Sequence, residues 1–377
     1  MPEPVRAVLL SIGSELLAGE TVDTNAAFLG RGLARLGFLL AAVRQLPDDR
    51  AIIADAFADA RADAPLVLAT GGLGPTHDDL TREALADALG EELRLDPKLE
   101  AMLRERFSAS GRMPQSNLRQ AMRIGSAEVV ANPIGSAPGW WVERDGAVIA
   151  LMPGVPSEMR RMFDEQLAPR LTDHFAPPPL HVRTVKTFGV GESAVADRMG
   201  DLLKRPGDGI VAGIYARDDG VHLRFTSFQP DPAPLAAAAA SARDALGEAV
   251  WGEGSDDLAA VALGALGRAG AGTLASWEAD TRGALLALLS AVAPMDGAAR
   301  YVGGVLDVGG SPAAPVAEAC LQLSLLPQDA HGRSRVRVAL SGRVTLPERE
   351  LRIHGSGDQR LRRAAYAALD LVRRSVG

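Results

Sequence analysis

The residues best suited to chemistry cluster in LVLATGGLGPTHDDLTREAL, Leu66 to Leu85. Gly71, Gly72 and Gly74 lie between an apolar run and a helical pattern. A glycine turn there lets backbone N–H groups converge on a phosphate near the positive end of a helix. Thr76 and Thr81 add hydroxyls, and Asp78 and Asp79 add adjacent carboxylates. A second reading stands beside the first: a tight turn, with Asp78, Asp79 and Thr81 capping the next helix. Paired carboxylates repel a phosphate unless a divalent cation lies between them. The functional reading is therefore a metal-phosphate ligand.

Two other apolar runs end in similar groups. SIGSELLAGETVDTN supplies Ser14, Glu15 and Asn25, and RQLPDD supplies Asp48. Further on, NLRQA places Asn117 and Gln120 three apart, suited to ribose or base hydrogen bonds and equally to solvated or capping roles.

The elements that must position these groups follow from periodicity. VRAVLLSIG, FLLAAVRQL and PLVLAT read as strands, and TNAAFLGRGLARLG, DRAIIADAFADARAD and TREALADALG as helices. That βαβαβα order predicts a parallel sheet covered by helices, with the strand-end loops sharing one edge. GAVIALMPG reads as a further strand and VPSEMRRMFDEQLAPRL as a helix. A proline cluster, DHFAPPPLH, marks a boundary near residue 173, and GEGSDDL marks another near 254. The expected domains are 1–172, an α+β unit over 173–254, and an α/β unit over 255–377.

With 377 residues the chain exceeds one ordinary core, so two or three domains are expected. At 47% hydrophobic, 23% charged and a net charge of -7, composition argues against nucleic-acid and membrane partners. A reducing cytoplasm is the expected location. No segment has the apolar length of a membrane span, the first apolar run is too short for a signal peptide, and the single cysteine, Cys320, reads as a core residue.

IGSELLAGETVDTN, GGLGPTHDDLT, NLRQA, NPIGSAPG and MPGVPSEM, in that order, resemble the CinA family of competence/damage-inducible proteins. The resemblance covers residues 5 to 172 and implies a three-layer α/β domain of the molybdopterin-binding, MogA/MoaB-like type. RTVKTFGVGESAVADRM resembles the family's KH-like middle domain, without a GXXG loop, a basic signal or an aromatic platform legible in the sequence. The resemblance implies an ADP-ribose pyrophosphatase that uses magnesium, manganese or cobalt, forms AMP and ribose 5-phosphate in pyridine-nucleotide recycling, and is a homodimer. Asp48, Asp78 and Asp79 would then be catalytic, with Asp48, Asp78 and Glu15 at the metal. Gly71, Gly72, Gly74, Thr76, Thr81, Ser14, Asn25, Asn117 and Gln120 would hold phosphate or substrate. Rival readings are a nucleotide-sensing scaffold in competence or damage responses, molybdopterin binding or adenylylation, and a bifunctional enzyme.

The last third resembles a shortened form of the family's C-terminal nicotinamide-mononucleotide deamidase domain. In TLASWEADTRGALL, Glu278, Thr281 and Gly283 keep the motif's frame. Ala279 stands at the nucleophilic serine, Asp280 at the following cysteine and Arg282 at a glycine. Alanine has no oxygen with which to attack an amide, so deamidase activity is expected to be absent. Only Thr281, two residues on, could act as a displaced nucleophile. YVGGVLDVGGSPAAPV also departs from the family pattern: the Tyr-Ser-Asn and following lysine that the resemblance calls for after the Gly-Gly are absent, and the chain jumps to the later Gly-Gly-Ser-Pro element.

Overall fold

The computed structural model describes residues 4–108, 113–207, 209–307, 316–329 and 333–376. The Gly-Gly-Ser-Pro element lies outside the described residues. The chain divides into two compact units, residues 1–180 with 228–230, and residues 181–227 with 231–377.

In the first unit β1 (Val5–Ile12), β2 (Phe38–Leu46) and β3 (Leu66–Thr70) alternate with α1 (Ser14–Leu17), α2 (Thr24–Leu36), α3 (Arg50–Asp63) and α4 (Thr81–Leu89). A two-stranded ribbon, β4 (Arg94–Leu95) with β5 (Met122–Arg123), flanks α5 (Pro97–Ser108) and a 3-10 segment, Gln115–Ala121. Then follow β6 (Glu128–Val130), β7 (Gly139–Arg144), β8 (Ala147–Met152), α6 (Pro156–Met162) and α7 (Ala168–Phe175). Helix α7 runs through residue 173.

The sheet order is β2-β1-β3-β8-β7-β6. The first four strands are parallel, as the βαβαβα order requires, but β7 and β6 join antiparallel, so the sheet is mixed. The sequence carried the cause. Asp145 and Gly146, at φ 51 and 78, form a two-residue turn with both residues left-handed, the pairing that closes a hairpin. Trp140 and Trp141 on β7 are both buried, one in each of two apolar layers. One layer packs α3 and α4 on the sheet and the other packs α2, α6 and α7, giving three layers.

The second unit holds two sheets. The first, ordered β10-β11-β9-β12, is antiparallel and comprises β9 (His181–Thr187), β10 (Ile210–Arg217), β11 (Gly220–Ser227) and β12 (Val250–Glu253). Helices α8 (Glu192–Met199) and α10 (Ala233–Leu246) bury one of its faces, and the short α9 (Asp201–Lys204) lies between them in sequence. The other sheet, ordered β14-β13-β15-β16-β17, has its own core. It contains β13 (Thr273–Ala279), β14 (Arg300–Asp307), β15 (Ala319–Leu326), β16 (Ser334–Gly342) and β17 (Leu346–Ile353), with α11 (Leu258–Arg268), α12 (Ala284–Ser290) and α13 (Gly357–Val376). Cys320 lies on β15, only partly buried, where desolvation pushes its thiol pKa upward. Among the described residues no helix is long and apolar enough to cross a membrane.

Candidate active site

The carboxyl ends of β1, β2, β3 and β8 surround a cleft of about 450 Å³. Parallel strands place those ends on one edge, so groups distant in sequence meet there. Glu15, Asp48, Gly71, Gly72, Gly74, Thr76, Asp78, Asp79 and Gln120 all line it. So do Gly154 and Glu158, from the motif after β8.

The glycine turn is built under close steric constraint. Gly71 has φ 102, and a Cβ there would sit 2.0 Å from the Ile12 carbonyl oxygen. Asp79 folds back into the turn: its carboxylate accepts the Gly74 N–H at 2.7 Å, the Thr76 N–H at 2.8 Å and the Thr76 hydroxyl. Helix α4 begins after Leu80 with no side-chain cap, so neither Asp78 nor Asp79 serves as its cap. The same bonds occupy the Gly74 amide, which is therefore not free for phosphate. Among the described residues the N–H groups of Gly72 and Leu73 have no protein acceptor, and both residues face the cleft.

Thr81 is fully buried, and its hydroxyl donates to the Gly71 carbonyl at 2.8 Å. It holds the turn from beneath and does not line the cleft. Thr81→Val removes that donor while keeping the shape, leaving a buried carbonyl unmet. It should cost about 1–3 kcal/mol in urea unfolding; an unchanged midpoint would reduce Thr81 to filler.

Ser14, Asn25 and Asn117 also lie outside the cleft lining. Ser14 and Asp48 stitch two strand ends together: the Ser14 N–H donates to Asp48 Oδ2 at 2.8 Å, and the Asp48 N–H donates to Ser14 Oγ at 3.1 Å. Asn25 Nδ2 donates to the Gly154 carbonyl at 2.7 Å, fixing the loop after β8. Asn117 Nδ2 donates to Gln120 Oε1 at 3.2 Å, so it orients the one of that pair that reaches the cleft.

Two arginines in the quoted motifs were missed from the sequence. Arg82 is buried, donates to the Leu73 carbonyl at 2.7 Å, and leaves Nε without a partner. Burial pulls its pKa down to about 10, so it stays a cation at neutral pH beneath the glycine turn. Arg119 donates to the Thr76 carbonyl, to the Asp79 carbonyl at 2.9 Å and to Glu83 at 2.7 Å, clasping the loop to α4. A cation adjacent to the motif was the only available signal, since burial is not readable from TREAL or NLRQA.

Asp78 differs from Asp79. Its side chain is 57% exposed, and its carboxyl is held below the usual carboxylate range by the Thr76 hydroxyl first and then its own backbone amide. Among the described residues no three His, Cys, Asp or Glu side chains stand close enough to close on a metal ion.

The comparisons with known proteins agree with the motifs. Residues 8–173 match a family described as "Probable molybdopterin binding domain", and residues 182–252 match "Damage-inducible protein CinA KH domain". A CinA-like protein of Thermomicrobium roseum is 46% identical over 289 residues, 75% of this chain and 70% of that protein. The chain belongs to the CinA family. Another CinA-like protein, from Deinococcus deserti, is 41% identical over 293 residues, again 75% of this chain and 70% of the relative. The solved structure of CinA from Thermoplasma acidophilum is 34% identical, with a TM-score of 0.42 over 44% of this chain and 96% of that one.

This CinA-family chain keeps a second, altered motif after β13. Glu278 is buried and accepts the Thr281 hydroxyl at 2.7 Å, the Leu285 N–H at 2.9 Å and the Leu286 N–H at 2.7 Å. Thr281 is 1% exposed, so its hydroxyl is committed to the turn and not available to attack. Asp280 and Arg282 occupy the left-handed region at φ 60 and 53. Among the described residues Arg282 makes one exposed ion pair, 3.7 Å from Asp358, which offsets little. Arg282→Gly should therefore stabilise the chain, by about 0.5–1 kcal/mol in urea unfolding, as left-handed strain is relieved against glycine's greater unfolded entropy. A loss of stability would show that the arginine has a structural partner.

Proposed function

We propose that the first unit is a hydrolase of nucleoside diphosphate sugars, with ADP-ribose as substrate and AMP and ribose 5-phosphate as products. One observation carries the reading: Gly72 and Leu73, whose N–H groups have no protein acceptor among the described residues, line the same cleft as Glu15, Asp48 and Asp78. That neighbourhood supports the reading, since it would offer donors for a diphosphate beside carboxylates for a cation.

The carboxylates suit magnesium, manganese or cobalt in a particular way. Magnesium is commonly held by one or two carboxylates plus substrate phosphates, not by a complete protein cage. A site without three converging acids is of that kind, so one or two of Glu15, Asp48 and Asp78, together with substrate phosphates, would hold the ion. When bound, the cation supplies Lewis-acid neutralisation of phosphate charge. The protein's own contribution is positional. The Gly72 and Leu73 amides orient phosphate oxygens, and buried Arg82 keeps a positive field under them. Asp48 is pinned by Ser14, fixing one carboxylate at the strand end. Gln120, which lines the cleft and is oriented by Asn117, would bond the ribose or base.

The third domain is proposed to lack deamidase activity. A methyl group stands at the nucleophile position, and the neighbouring hydroxyl of Thr281 is bound to Glu278. The description of the family matched at residues 8–173 favours a second reading of the same cleft, a phosphorylated pterin as ligand. The test is to incubate purified chain with ADP-ribose and each metal, and separately with nicotinamide mononucleotide, following AMP and ammonia. AMP without ammonia is expected. No AMP with any metal sinks the hydrolase reading, and ammonia sinks the inactive-domain reading. Pterin-phosphate binding that ADP-ribose cannot displace would favour the second ligand.

A further inference from the structure

We infer that the open face of the β10-β11-β9 sheet binds single-stranded nucleic acid. The strands alternate, so the residues turned away from α8 and α10 form a second, polar face. Register brings Tyr215 beside His222 and His222 beside Lys186, with Arg224 between Gly213 and Thr184 one row along. These residues and Arg217 line a cavity of about 310 Å³ in which, among the described residues, no lining side chain is a carboxylate. Neither Arg217 nor Arg224 has an ion-pair partner among the described residues. His222 faces Asp219 at 3.0 Å, and Lys186 donates to the neutral Asp256 carbonyl at 2.6 Å, so Lys186 keeps its charge beside those of the two arginines.

Tyr215 supplies the second element. Its ring lies over Gly213: a Cβ at that glycine would come 2.8 Å from Oη and 2.9 Å from Cε2. Glycine is thus the residue that lets the ring lie against the sheet, leaving the side chain 45% exposed. Arg217 stands 6.0 Å from the ring centroid. A flat, half-exposed aromatic beside unpaired guanidinium groups matches the stacking-plus-phosphate arrangement used for unpaired bases.

The positive strip continues past one nucleotide. Arg217 also lines a second cavity of about 380 Å³ with Arg352, Arg363 and the Gly189–Gly191 turn. The carboxylates there are Asp218, paired with Arg362 at 2.7 Å, and Glu192. On a chain with a net charge of -7, this local excess of cations is selective for a polyanion. Composition hid it because the cations sit at alternate positions on strands far apart in sequence. This inference is independent of the hydrolase reading.

The test is fluorescence anisotropy of the full chain with a labelled oligothymidylate of roughly 15 nucleotides, with the matching duplex as control. Single strand should bind better than duplex. Tyr215→Ala should weaken binding about tenfold while Tyr215→Phe retains it, with unchanged melting for both. Arg224→Gln should weaken binding and lower the log-log salt slope by about 0.7. Equal binding of duplex, no single-strand binding at low salt, or an indifferent Tyr215→Ala each overturns the inference. Displacement by equimolar ADP-ribose overturns it too, by reassigning the face to a mononucleotide.

Discussion

Gly71→Ala should destabilise the first unit by at least about 3 kcal/mol and abolish its ligand binding. Two costs add at this position. The residue holds φ 102, a conformation that L side chains rarely adopt, and the new methyl carbon would lie 2.0 Å from the Ile12 carbonyl oxygen. That oxygen is backbone at the end of a central, fully packed strand, so it cannot swing aside as a side chain would. Relief requires moving the turn away from β1, which breaks the Thr81 bond to the Gly71 carbonyl and the Gly71 N–H bond to Met152. The check is urea unfolding of the variant, followed by tryptophan fluorescence because Trp140 and Trp141 are buried in this unit. A loss below about 1 kcal/mol would mean that the turn relaxes at little cost, and that the glycine serves ligand approach alone.

The sequence carried the parallel half of the first sheet because its strands and helices alternate in period, and FLLAAVRQL coincides with β2. It did not yield β7, since GWWVER is apolar on both faces and lacks the alternation that marks a half-buried strand; the Asp145-Gly146 turn was the available clue. In the second unit β15 and β17 were missed for related reasons. ACLQLSLL alternates, yet no strand is assigned around Cys320 from the sequence, and LPERELRI is mostly exposed and charged. The site was more legible than the fold, because glycines, aspartates and strand ends declare themselves by type. What type cannot reveal is commitment: Gly74 and Asp79 are bonded to each other, and Thr81 faces inward.

The altered motif after β13 shows the same point from the other side. Ala279 stands where the resembled motif has its serine, yet Glu278 gathers Thr281 and two early amides of α12, and Arg282 holds a left-handed backbone angle suited to glycine. The turn is retained by packing, since the core around it includes Leu285, Leu289 and α13 residues such as Leu369 and Val372. The bonds and packing that hold this turn thus need no nucleophile.

The two adjacent aspartates of the glycine turn should separate cleanly by mutation. Asp78→Asn is expected to lower kcat for ADP-ribose at least about 100-fold with stability changed by less than about 0.5 kcal/mol, because the side chain is largely exposed and its charge is the property removed. Asp79→Ala removes the acceptor for the Gly74 and Thr76 donors, so it should cost about 1.5–3 kcal/mol and raise KM as the turn loosens. The pH profile gives a further discrimination. Asp78 is held below its ordinary value of 3.8, so its charged form, and the turn interactions that favour it, persist as pH falls from 7 to that value and are lost only beneath it. The acid limb due to Asp78 therefore lies below 3.8. Steady-state kinetics and urea unfolding of the two variants measure both halves. Unchanged turnover in Asp78→Asn would leave that residue a solvated turn group, and an unchanged unfolding midpoint in Asp79→Ala would show that the clasp does not hold the glycine turn.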